Sequence, residues 1–348
     1  MVESWNICID TGGTFTDCWA VPPGGTEPVL VKVLSSGKLR VRVVGESRIQ
    51  VPWQLPSGFF EGWQIGFADQ TARIAQSTVL ADGLHQLSLE KEAKLDSETD
   101  LFTGEEAPVI GARILTQTCL NDSFPAISLR LATTRGTNAL LEKKGARTAF
   151  FVTQGFGDLL RIRDQRRPDL FALNHQIPEP LYDAVFEIPE RLDAGGAILE
   201  PLDLDHDLCS KISALVDDGI EVAAIALMHS YLNDQHEQEL AGLLKKAGFK
   251  HVSLSSELAP LIKLLPRAET AVVDAYLTPV MDEFLNRVSR VTDDLLVMTS
   301  AGGLEPNSDF RPKDSLFSGP AGGVVGAAAS GKLCGFEKLI TFDMGGTS

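Results

Sequence analysis

The sequence predicts an α/β protein in which most strand pairs of the second half are parallel. Two observations carry this prediction. From residue 133 onward, apolar runs of strand length, such as "TAFFVTQ", alternate with segments that carry helix start and stop signals, such as "DQHEQELAGLLKKAG". This alternation is typical of parallel strands joined by helical crossovers. In addition, the word Asp-x-Gly-Gly-Thr follows an apolar strand near each end of the chain, in "ICIDTGGT" and "ITFDMGGT".

The first part of the chain is predicted to be extended. Over residues 5–34, three apolar runs separated by turn residues predict three strands, namely "WNICID", "TDCWAVP" and "PVLVKVLSS". Residues 36–123 contain short alternating runs broken by Gly, Pro and Asp clusters, namely "KLRVRVV", "SRIQVPW", "GWQIGF" and "ARILTQT". These runs predict a small β-rich insertion.

The second half supplies the predicted helices and the remaining strands. The segment "TTRGTNALLEKKG" predicts a helix because hydroxyl residues precede it and Lys, Lys and Gly end it. A long helix is predicted over about 267–291, and Pro279 inside it is expected to cause a kink. The last elements are a strand, a helix of small residues and a final strand, in "DLLVMTS", "GPAGGVVGAAASGK" and "KLITFD".

Composition and charge limit the classes of function. A chain of 348 residues suggests about two domains. The formal net charge is −16 and the acidic residues are scattered along the chain. This balance argues against binding to nucleic acid or to an anionic membrane surface, both of which need a basic surface. No run reaches the ~18 apolar residues expected of a membrane-spanning helix.

The cysteines indicate a reducing compartment. They are far apart, odd in number and form no CxxC pair: Cys8, Cys18, Cys119, Cys209 and Cys334. This usage fits reduced thiols in the cytoplasm better than a disulfide framework or a zinc site.

Each Asp-x-Gly-Gly-Thr motif predicts a phosphate-binding turn. Glycines let backbone N–H groups approach a ligand, and successive N–H groups form a nest for an anion. An Asp at the end of a strand can hold a hydrated Mg²⁺ that bridges phosphate oxygens. A single copy is explained equally well as a hairpin turn, but two copies in the same context favour two loops that face one nucleotide.

We therefore predict that Asp10 and Asp343 are the catalytic residues, each of which places Mg²⁺ or an activating water. The residues predicted to bind the nucleotide are Thr11, Gly12, Gly13, Thr14, Thr16, Asp17, Gly345, Gly346, Thr347 and Ser348.

Three further groups are candidates for substrate binding, each with a simpler explanation. Thr133, Thr134 and Asn138 stand at a predicted helix start, where N-capping accounts for at least one of them. Ser300, Gly302 and Gly303 form a loop after a predicted strand. Arginines in "RIRDQRRPDLF" either line a solvated loop or clamp a carboxylate: Arg161, Arg163, Arg166 and Arg167.

Read together, the motifs resemble the hydantoinase A/5-oxoprolinase family. The following segments occur here in the family's order: "IDTGGTFTD", "ATTRGTNALLEKKGARTAFFVTQGFGDLLRIRDQRRPDLF", "ERLDAGGAIL", "ALMHSYLNDQHE", "RAETAVVDAYLTP", "SAGGL", "SGPAGGVVGA" and "ITFDMGGTS". The resemblance covers residues 1–35 and about 130–348. It departs from the common pattern in the longer segment 36–123 and in "ATTRGTNA", where many members have "GTTVATNA".

This resemblance implies an actin-like ATPase (ribonuclease H-like) fold. It places a first ATPase-like lobe at residues 1–35 and 124–338, with the hydantoinase A region beginning near residue 200. The β-rich insertion occupies 36–123, and residues 339–348 supply the first strand and the phosphate loop of a truncated second lobe.

The resemblance also implies a reaction and its requirements. The implied reaction is ATP-dependent hydrolysis of a cyclic amide, most directly 5-oxo-L-proline to L-glutamate in glutathione metabolism, with ATP and Mg²⁺. The implied partner is a hydantoinase B-type subunit or fused region, and homo-oligomer formation is left open. Alternatives are a hydantoinase, an acetone-carboxylase-like subunit, or a non-catalytic nucleotide-binding fragment. The chain alone is expected to be inactive and to bind ATP weakly.

Overall fold

The computed structural model of the chain describes residues 3–67, 70–91, 93, 95–165, 171 and 178–342. The chain divides into two compact units. The first comprises Met1–Asn138, Glu283–Phe310 and Asp314–Ser348, and the second comprises Ala139–Asp282 and Arg311–Lys313.

The strands, in chain order, are β1 Trp5–Thr11, β2 Phe15–Val21, β3 Val29–Leu34, β4 Lys38–Val43, β5 Arg48–Gln50, β6 Gln64–Phe67, β7 Gln70–Val79, β8 His85–Leu89, β9 Glu98–Phe102, β10 Ile127–Thr133, β11 Thr148–Thr153, β12 Ala184–Ile188, β13 Arg191–Leu192, β14 Ile198–Glu200, β15 Val222–Ala226, β16 His251–Leu254, β17 Asp294–Met298 and β18 Leu304–Pro306.

The helices are α1 Ala107–Thr116, α2 Arg135–Leu141, α3 Leu159–Ile162, α4 His206–Asp217, α5 Gln235–Ala247, α6 Ser255–Leu258, α7 Leu264–Val288 and α8 Ser318–Leu333. Short 3₁₀ turns lie at Ser289–Val291 and Pro312–Ser315. None of the helices in the described ranges is both long and apolar enough to cross a membrane.

A six-stranded mixed sheet organises the first unit. Its order is β18-β17-β10-β1-β2-β3, and β1, β10 and β17 run parallel while the outer pairs are antiparallel. Alternation in β1 buries Ile7, Ile9 and Thr11 on one face and leaves Asp10 exposed on the other. The parallel core therefore brings the carboxyl ends of three strands to one edge of the sheet.

Strands β4 to β9 of the first unit form a closed barrel. Its strand order is β4-β5-β8-β7-β6-β9, and pairing of β4 with β9 closes it. Phe59, Phe60 and Trp63 fill part of the interior, with ring centroids 5.1 to 5.8 Å apart. Closure leaves no unpaired strand edge, which stabilises a small β structure. The β-rich character predicted for this part of the chain is thus observed in β4 to β9, and the bounds 36–123 of the insertion stay a prediction.

The barrel joins the rest of the unit through two neighbouring points of the chain. Gly37 precedes β4 with φ of 70°, and a Cβ added there would fall 2.6 Å from the carbonyl oxygen of Glu105, which follows β9. The side chain of Glu105 makes a two-point ion pair with Arg113, at 2.8 Å for each nitrogen. Both connections to the barrel are thus fixed at the start of α1.

The helix α1 corrects one prediction. The run "ARILTQT" was expected to be a strand, but Ala112–Thr116 belong to a helix whose residues Ala107–Leu115 are all buried. A helix buried on every side has no polar face, so its sequence lacks the helical period on which the prediction depended. Gly111 lies so close to β2 that an added Cβ would overlap the Cys18 sulfur.

The second unit is built on a parallel sheet of order β12-β11-β15-β16. Both central strands are buried along their whole length, as expected when helices cover both faces. One apolar cluster joins this sheet to α4 and α5, and a second joins its other face to α7. The parallel α/β prediction is therefore confirmed for this unit.

Two predicted elements at the end of the chain have different outcomes. The long helix is present as α7, which continues through Pro279 and is followed by the turn at Ser289–Val291. The predicted strand at Leu339–Phe342 is not formed. A strand needs backbone partners, and no described strand pairs with this segment, in which Ile340 is 98% exposed.

Candidate functional site

The candidate site lies at the carboxyl edge of the mixed sheet, within the first unit. Thr11 at the end of β1 is in register with Thr133 at the end of β10, and Leu131 is in register with Val297 of β17. Loops that follow parallel strands meet at such an edge, which is where α/β proteins commonly bind ligands.

The predicted first phosphate loop is the hairpin between β1 and β2. The Gly12 amide donates to the Phe15 carbonyl at 3.0 Å, and a Cβ on Gly12 would lie 3.1 Å from that oxygen. Gly13 and Thr14 form the exposed tip. A side chain at Gly12 would therefore crowd the turn, and the two tip residues are open to a ligand.

Two of the other predicted residues of this loop, Thr16 and Asp17, already have side-chain partners. Thr16 is fully buried and its hydroxyl lies 3.0 Å from that of Ser35. Asp17 pairs with Lys32 at 2.9 and 3.0 Å. The hydroxyl of Thr11 is buried and has no hydrogen-bond partner among the described residues. Contact of any of these with ATP stays a prediction.

Thr134 and Asn138 fix the start of α2 to the end of β1. The Thr134 amide and hydroxyl both donate to the Thr11 carbonyl, at 2.9 and 3.3 Å, and the Asn138 amide nitrogen donates to the Thr134 hydroxyl at 3.2 Å. The Thr133 hydroxyl accepts from the Arg135 amide at 3.1 Å. These polar residues thus position the site edge.

The loop after β17 supports the start of α8. The Ser300 hydroxyl donates to the Asp314 carbonyl at 2.7 Å and accepts from the Phe317 amide at 3.0 Å. Gly302 has φ of 80°, and the Thr299 amide donates to the Gly303 carbonyl at 2.9 Å. Like Thr134, Ser300 is engaged by backbone groups, and its contact with substrate stays a prediction.

Sequence reasoning did not identify Ser318 as a residue of this edge. It is fully buried, and its hydroxyl donates to the Thr133 carbonyl at 2.9 Å, which ties α8 to β10. Next to it, a Cβ on Gly319 would lie 3.3 Å from the Thr134 methyl group. The signal in the sequence was the word "SGPAGG", in which small residues permit such close packing.

A cavity of about 600 Å³ opens on the face of the sheet that carries Asp10. Its volume is in the range typical of small-molecule sites. Burial raises the pKa of Cys8 in its wall, and the charge of Arg130 acts in the opposite direction. The lining residues include Cys8, Asp10, Asp17, Trp19, Leu30, Arg130, Ala132, Met298, Leu304 and Gly319.

The predicted second phosphate loop lies outside the described residues. This applies to Asp343, Gly345, Gly346, Thr347 and Ser348, and in the predicted arginine clamp to Arg166 and Arg167. No group of three or more metal-binding side chains was found among the residues described.

The remaining arginines of the predicted clamp belong to the second unit. Arg163 follows α3 and donates to Glu269 of α7 at 2.6 Å. Arg161 lies beside Tyr182. Burial raises the pKa of Tyr182, and the charge of Arg161 offsets part of this rise. Arg163 thus has a carboxylate partner inside its own unit.

A buried polar network at the carboxyl edge of the second sheet was not predicted. Arg267 and Glu237 are both fully buried, with their closest charged atoms 3.8 Å apart. The Arg267 guanidinium also donates to the Leu227 carbonyl at 2.7 Å and to the hydroxyls of Ser230 and Ser255. The carboxylate of Glu237 accepts from the Leu227 amide and from both hydroxyls, at 2.7 to 2.9 Å.

A second buried pair continues this network. His236 Nδ1 lies 2.7 Å from Glu190, which also accepts from Thr153. Desolvation lowers the pKa of Arg267 and the charge of Glu237 raises it. The network joins the loops after three parallel strands, so it rigidifies that edge.

Comparison with known proteins assigns the family. The model for the hydantoinase/oxoprolinase N-terminal region matches residues 86–248, and the hydantoinase/oxoprolinase model matches residues 267–348. The chain belongs to the hydantoinase/oxoprolinase family. The resemblance described from the motifs is thereby confirmed.

Curated relatives in this family are much longer than the chain. 5-Oxoprolinase 1 of Arabidopsis thaliana is 36% identical over 98% of the chain and 25% of its own length. The 5-oxoprolinase of Saccharomyces cerevisiae is 38% identical over 70% of the chain and 22% of its own length. The chain thus spans about a quarter of these relatives.

Two solved structures share the fold. The nucleotide-free structure of acetone carboxylase has a TM-score of 0.64 at 20% identity. The match covers 96% of this chain and 41% of the acetone carboxylase chain. The ATP-dependent caprolactamase from Pseudomonas jessenii has a TM-score of 0.59 at 22% identity. The match covers 98% of this chain and 42% of the caprolactamase chain. This likeness confirms the mixed α/β fold class, and the actin-like assignment stays a prediction.

Proposed function

We propose that the chain is the nucleotide-handling part of an ATP-dependent cyclic amide hydrolase that converts 5-oxo-L-proline to L-glutamate. The observation that carries the proposal is the exposed Asp10 at the end of a parallel strand, followed by the open turn at Gly13 and Thr14 and facing a cavity of about 600 Å³. The names of the relatives at 36% and 38% identity support the choice of substrate.

The residues of this edge fit ATP and Mg²⁺. The turn presents exposed backbone at Gly13 and Thr14, and the Thr14 hydroxyl adds a donor suited to a phosphate oxygen. Asp10 supplies a carboxylate of the kind that Mg²⁺ takes together with water and phosphate. We assign Asp343 the matching role on the second loop, with Gly345, Gly346 and Thr347 as its phosphate cradle.

The chemistry explains why ATP is needed. A lactam is stabilised by resonance and resists attack by water. Transfer of the γ-phosphoryl group of ATP to the amide oxygen releases ADP and activates the carbonyl carbon for attack by water. The C–N bond then breaks, the protonated amine leaves and the ring opens, and a second water hydrolyses the resulting acyl phosphate to glutamate and phosphate. The chain's own task is to hold the reacting groups in position and to neutralise charge. Asp10 does this at one end of the cavity.

The proposal includes a second component and a location. Ring opening is assigned to a hydantoinase B-type subunit or fused region, because the chain corresponds to only a quarter of the 5-oxoprolinase 1 sequence. We assign the protein to the cytoplasm on its five cysteines, which are all free in the structure.

The test is ADP release by the product of the complete reading frame, together with any B-type component. We expect stimulation by 5-oxoproline in the presence of Mg²⁺, and stoichiometric glutamate. Hydantoin is the matched lactam control. Stimulation by hydantoin and not by 5-oxoproline would reject the substrate assignment, and nucleotide binding without any stimulation would favour a non-catalytic role.

A second candidate is ATP-dependent activation of a ketone. It is favoured by the fold shared with acetone carboxylase and by 26% identity to the acetophenone carboxylase gamma subunit over 66% of this chain. Acetone with bicarbonate is therefore included in the assay, and ADP release with these alone would favour this candidate.

A further inference from the structure

The cavity beside Asp10 contains one cationic side chain that the proposed chemistry has not used. Arg130 lies in the middle of β10 and is half-buried on the face of the sheet that carries Asp10. Its guanidinium makes no hydrogen bond or ion pair with the part of the chain that the structure describes. Lys32, the other cation that lines the cavity, is paired with Asp17.

The surroundings of Arg130 are largely apolar. Cys8 is its partner in register on β1, and Trp19 faces Cys8 from β2. Partial burial of a guanidinium among such groups is unfavourable unless an anion accompanies it. An arginine also binds a carboxylate with two parallel hydrogen bonds, which a lysine cannot do. The position therefore favours an anionic ligand with a planar carboxylate.

The register places this cation one small molecule away from Asp10. Asp10 is in register with Ala132, two residues after Arg130 on the neighbouring strand. With about 3.3 Å of rise per residue and about 4.8 Å between strands, the two Cα atoms are roughly 8 Å apart. Both side chains line the same cavity.

We propose that Arg130 is the subsite for the carboxylate of the substrate, so that the enzyme selects cyclic amides that carry a carboxylate next to the amide nitrogen. This inference rests on the proposed function. With the carboxylate on Arg130, the lactam carbonyl of 5-oxoproline faces Asp10 and the phosphate loop. A neutral lactam such as 2-pyrrolidinone lacks this anchor. Arg130 is thus a specificity-determining residue of the site.

The test compares Arg130→Gln, Arg130→Lys and the wild type in the complete protein. We expect Arg130→Gln to raise KM for 5-oxoproline by about 10- to 100-fold, because a hydrogen-bonded charge partner is lost. Arg130→Lys should recover part of the loss. The KM for ATP and the ADP release stimulated by 2-pyrrolidinone should stay within about twofold, and the thermal midpoint should be unchanged. Arg42→Gln, which removes an exposed arginine of the barrel, is the matched control.

The outcomes separate this inference from the proposed function. If the wild type hydrolyses 5-oxoproline and Arg130→Gln does so with unchanged KM, the subsite is wrong and the function stands. An equal loss with both lactams, or a loss of ATP binding, assigns Arg130 a structural role and overturns the subsite. If the wild type acts on hydantoin or 2-pyrrolidinone but not on 5-oxoproline, both are wrong.

Discussion

Asp10 ends a parallel strand with its side chain exposed, so its replacement is expected to change chemistry and leave folding intact. Asp10→Asn removes the charge proposed to hold Mg²⁺ and should lower ADP release in the complete protein by about 100-fold or more. The thermal midpoint should not change. Asp293→Asn, at the opposite end of β17, is the control because that carboxylate is exposed. Equal activity of the two variants would remove Asp10 from the mechanism.

Arg267 is fully buried with Glu237, so the loss of one partner leaves an uncompensated charge. Arg267→Met is expected to reduce the free energy of unfolding by about 3–5 kcal/mol, measured by urea denaturation. The double variant Arg267→Met with Glu237→Met should recover most of this loss, because neither charge remains. A double variant that is less stable than Arg267→Met would mean that the hydroxyl and backbone bonds, and not the charge pair, dominate.

Single residues of the candidate site were predictable where the residue type that the chemistry needs also specifies the local backbone conformation. The glycines and the aspartate of "DTGGT" specify a turn, and the structure has this turn at the end of β1. The roles of Glu237 and His236 were not predictable. In "DQHEQEL" both occupy positions that look solvent-exposed on a helix, and only the residues that follow β12, β15 and β16 supply their buried partners.

Among the helices, α1 depends on one glycine. A Cβ on Gly111 would overlap the Cys18 sulfur, so Gly111→Ala should displace α1 from β2 and cost about 1–3 kcal/mol. Adding Cys18→Ala should recover part of the loss. Gly242→Ala is the matched control, since nothing lies within 4 Å of an added Cβ in α5. That change should stabilise the protein by about 0.5–1 kcal/mol. Equal changes in stability for Gly111→Ala and Gly242→Ala would contradict the close approach of Gly111 to Cys18.

The barrel contains a histidine that links stability to pH. His85 is 1% exposed, its Nδ1 lies 3.2 Å from the Ser77 hydroxyl, and burial lowers its pKa below the usual 6.5. In the unfolded chain it takes up a proton near pH 6.5, whereas in the folded chain it does so only at lower pH. Its contribution to stability is therefore complete above pH 6.5 and is lost as the pH falls from there to the lowered pKa.

His85→Gln removes this titration and keeps a polar group near Ser77. The fall in the free energy of unfolding between pH 7 and pH 5 should be smaller in the variant than in the wild type. His206→Gln, at an exposed position, is the matched control. Parallel curves for wild type and His85→Gln would show that the barrel histidine is protonated equally in both states.

Elements were predictable where their pattern is local. The strands β1, β2, β11 and β15 follow from short apolar runs, and α5 from its period and its final Gly248 with φ of 112°. The closure of the barrel was not predictable, because β4 pairs with β9 across about 60 residues and no local pattern encodes that register. The strand expected at Leu339–Phe342 shows the converse, since an apolar run forms a strand only where a partner is present.

At the scale of the whole chain, the barrel is expected to be separable from the sheet. Replacing residues 38–104 by a short Gly-Ser linker should leave a folded protein, because Gly37 and Glu105 are already in contact. The expected result is a single cooperative unfolding transition and an unchanged ATP affinity in the complete protein. An aggregated or molten product would show that α1 needs the barrel to cover it.

The contact of Gly37 with Glu105 has an evolutionary consequence. Because the chain enters and leaves the barrel at neighbouring residues, the length of the barrel segment does not affect the positions of β3 and α1. Family members should therefore be able to enlarge, shrink or replace the barrel without shifting the carboxyl edge of the sheet. Variation in chain length among them should concentrate at this junction.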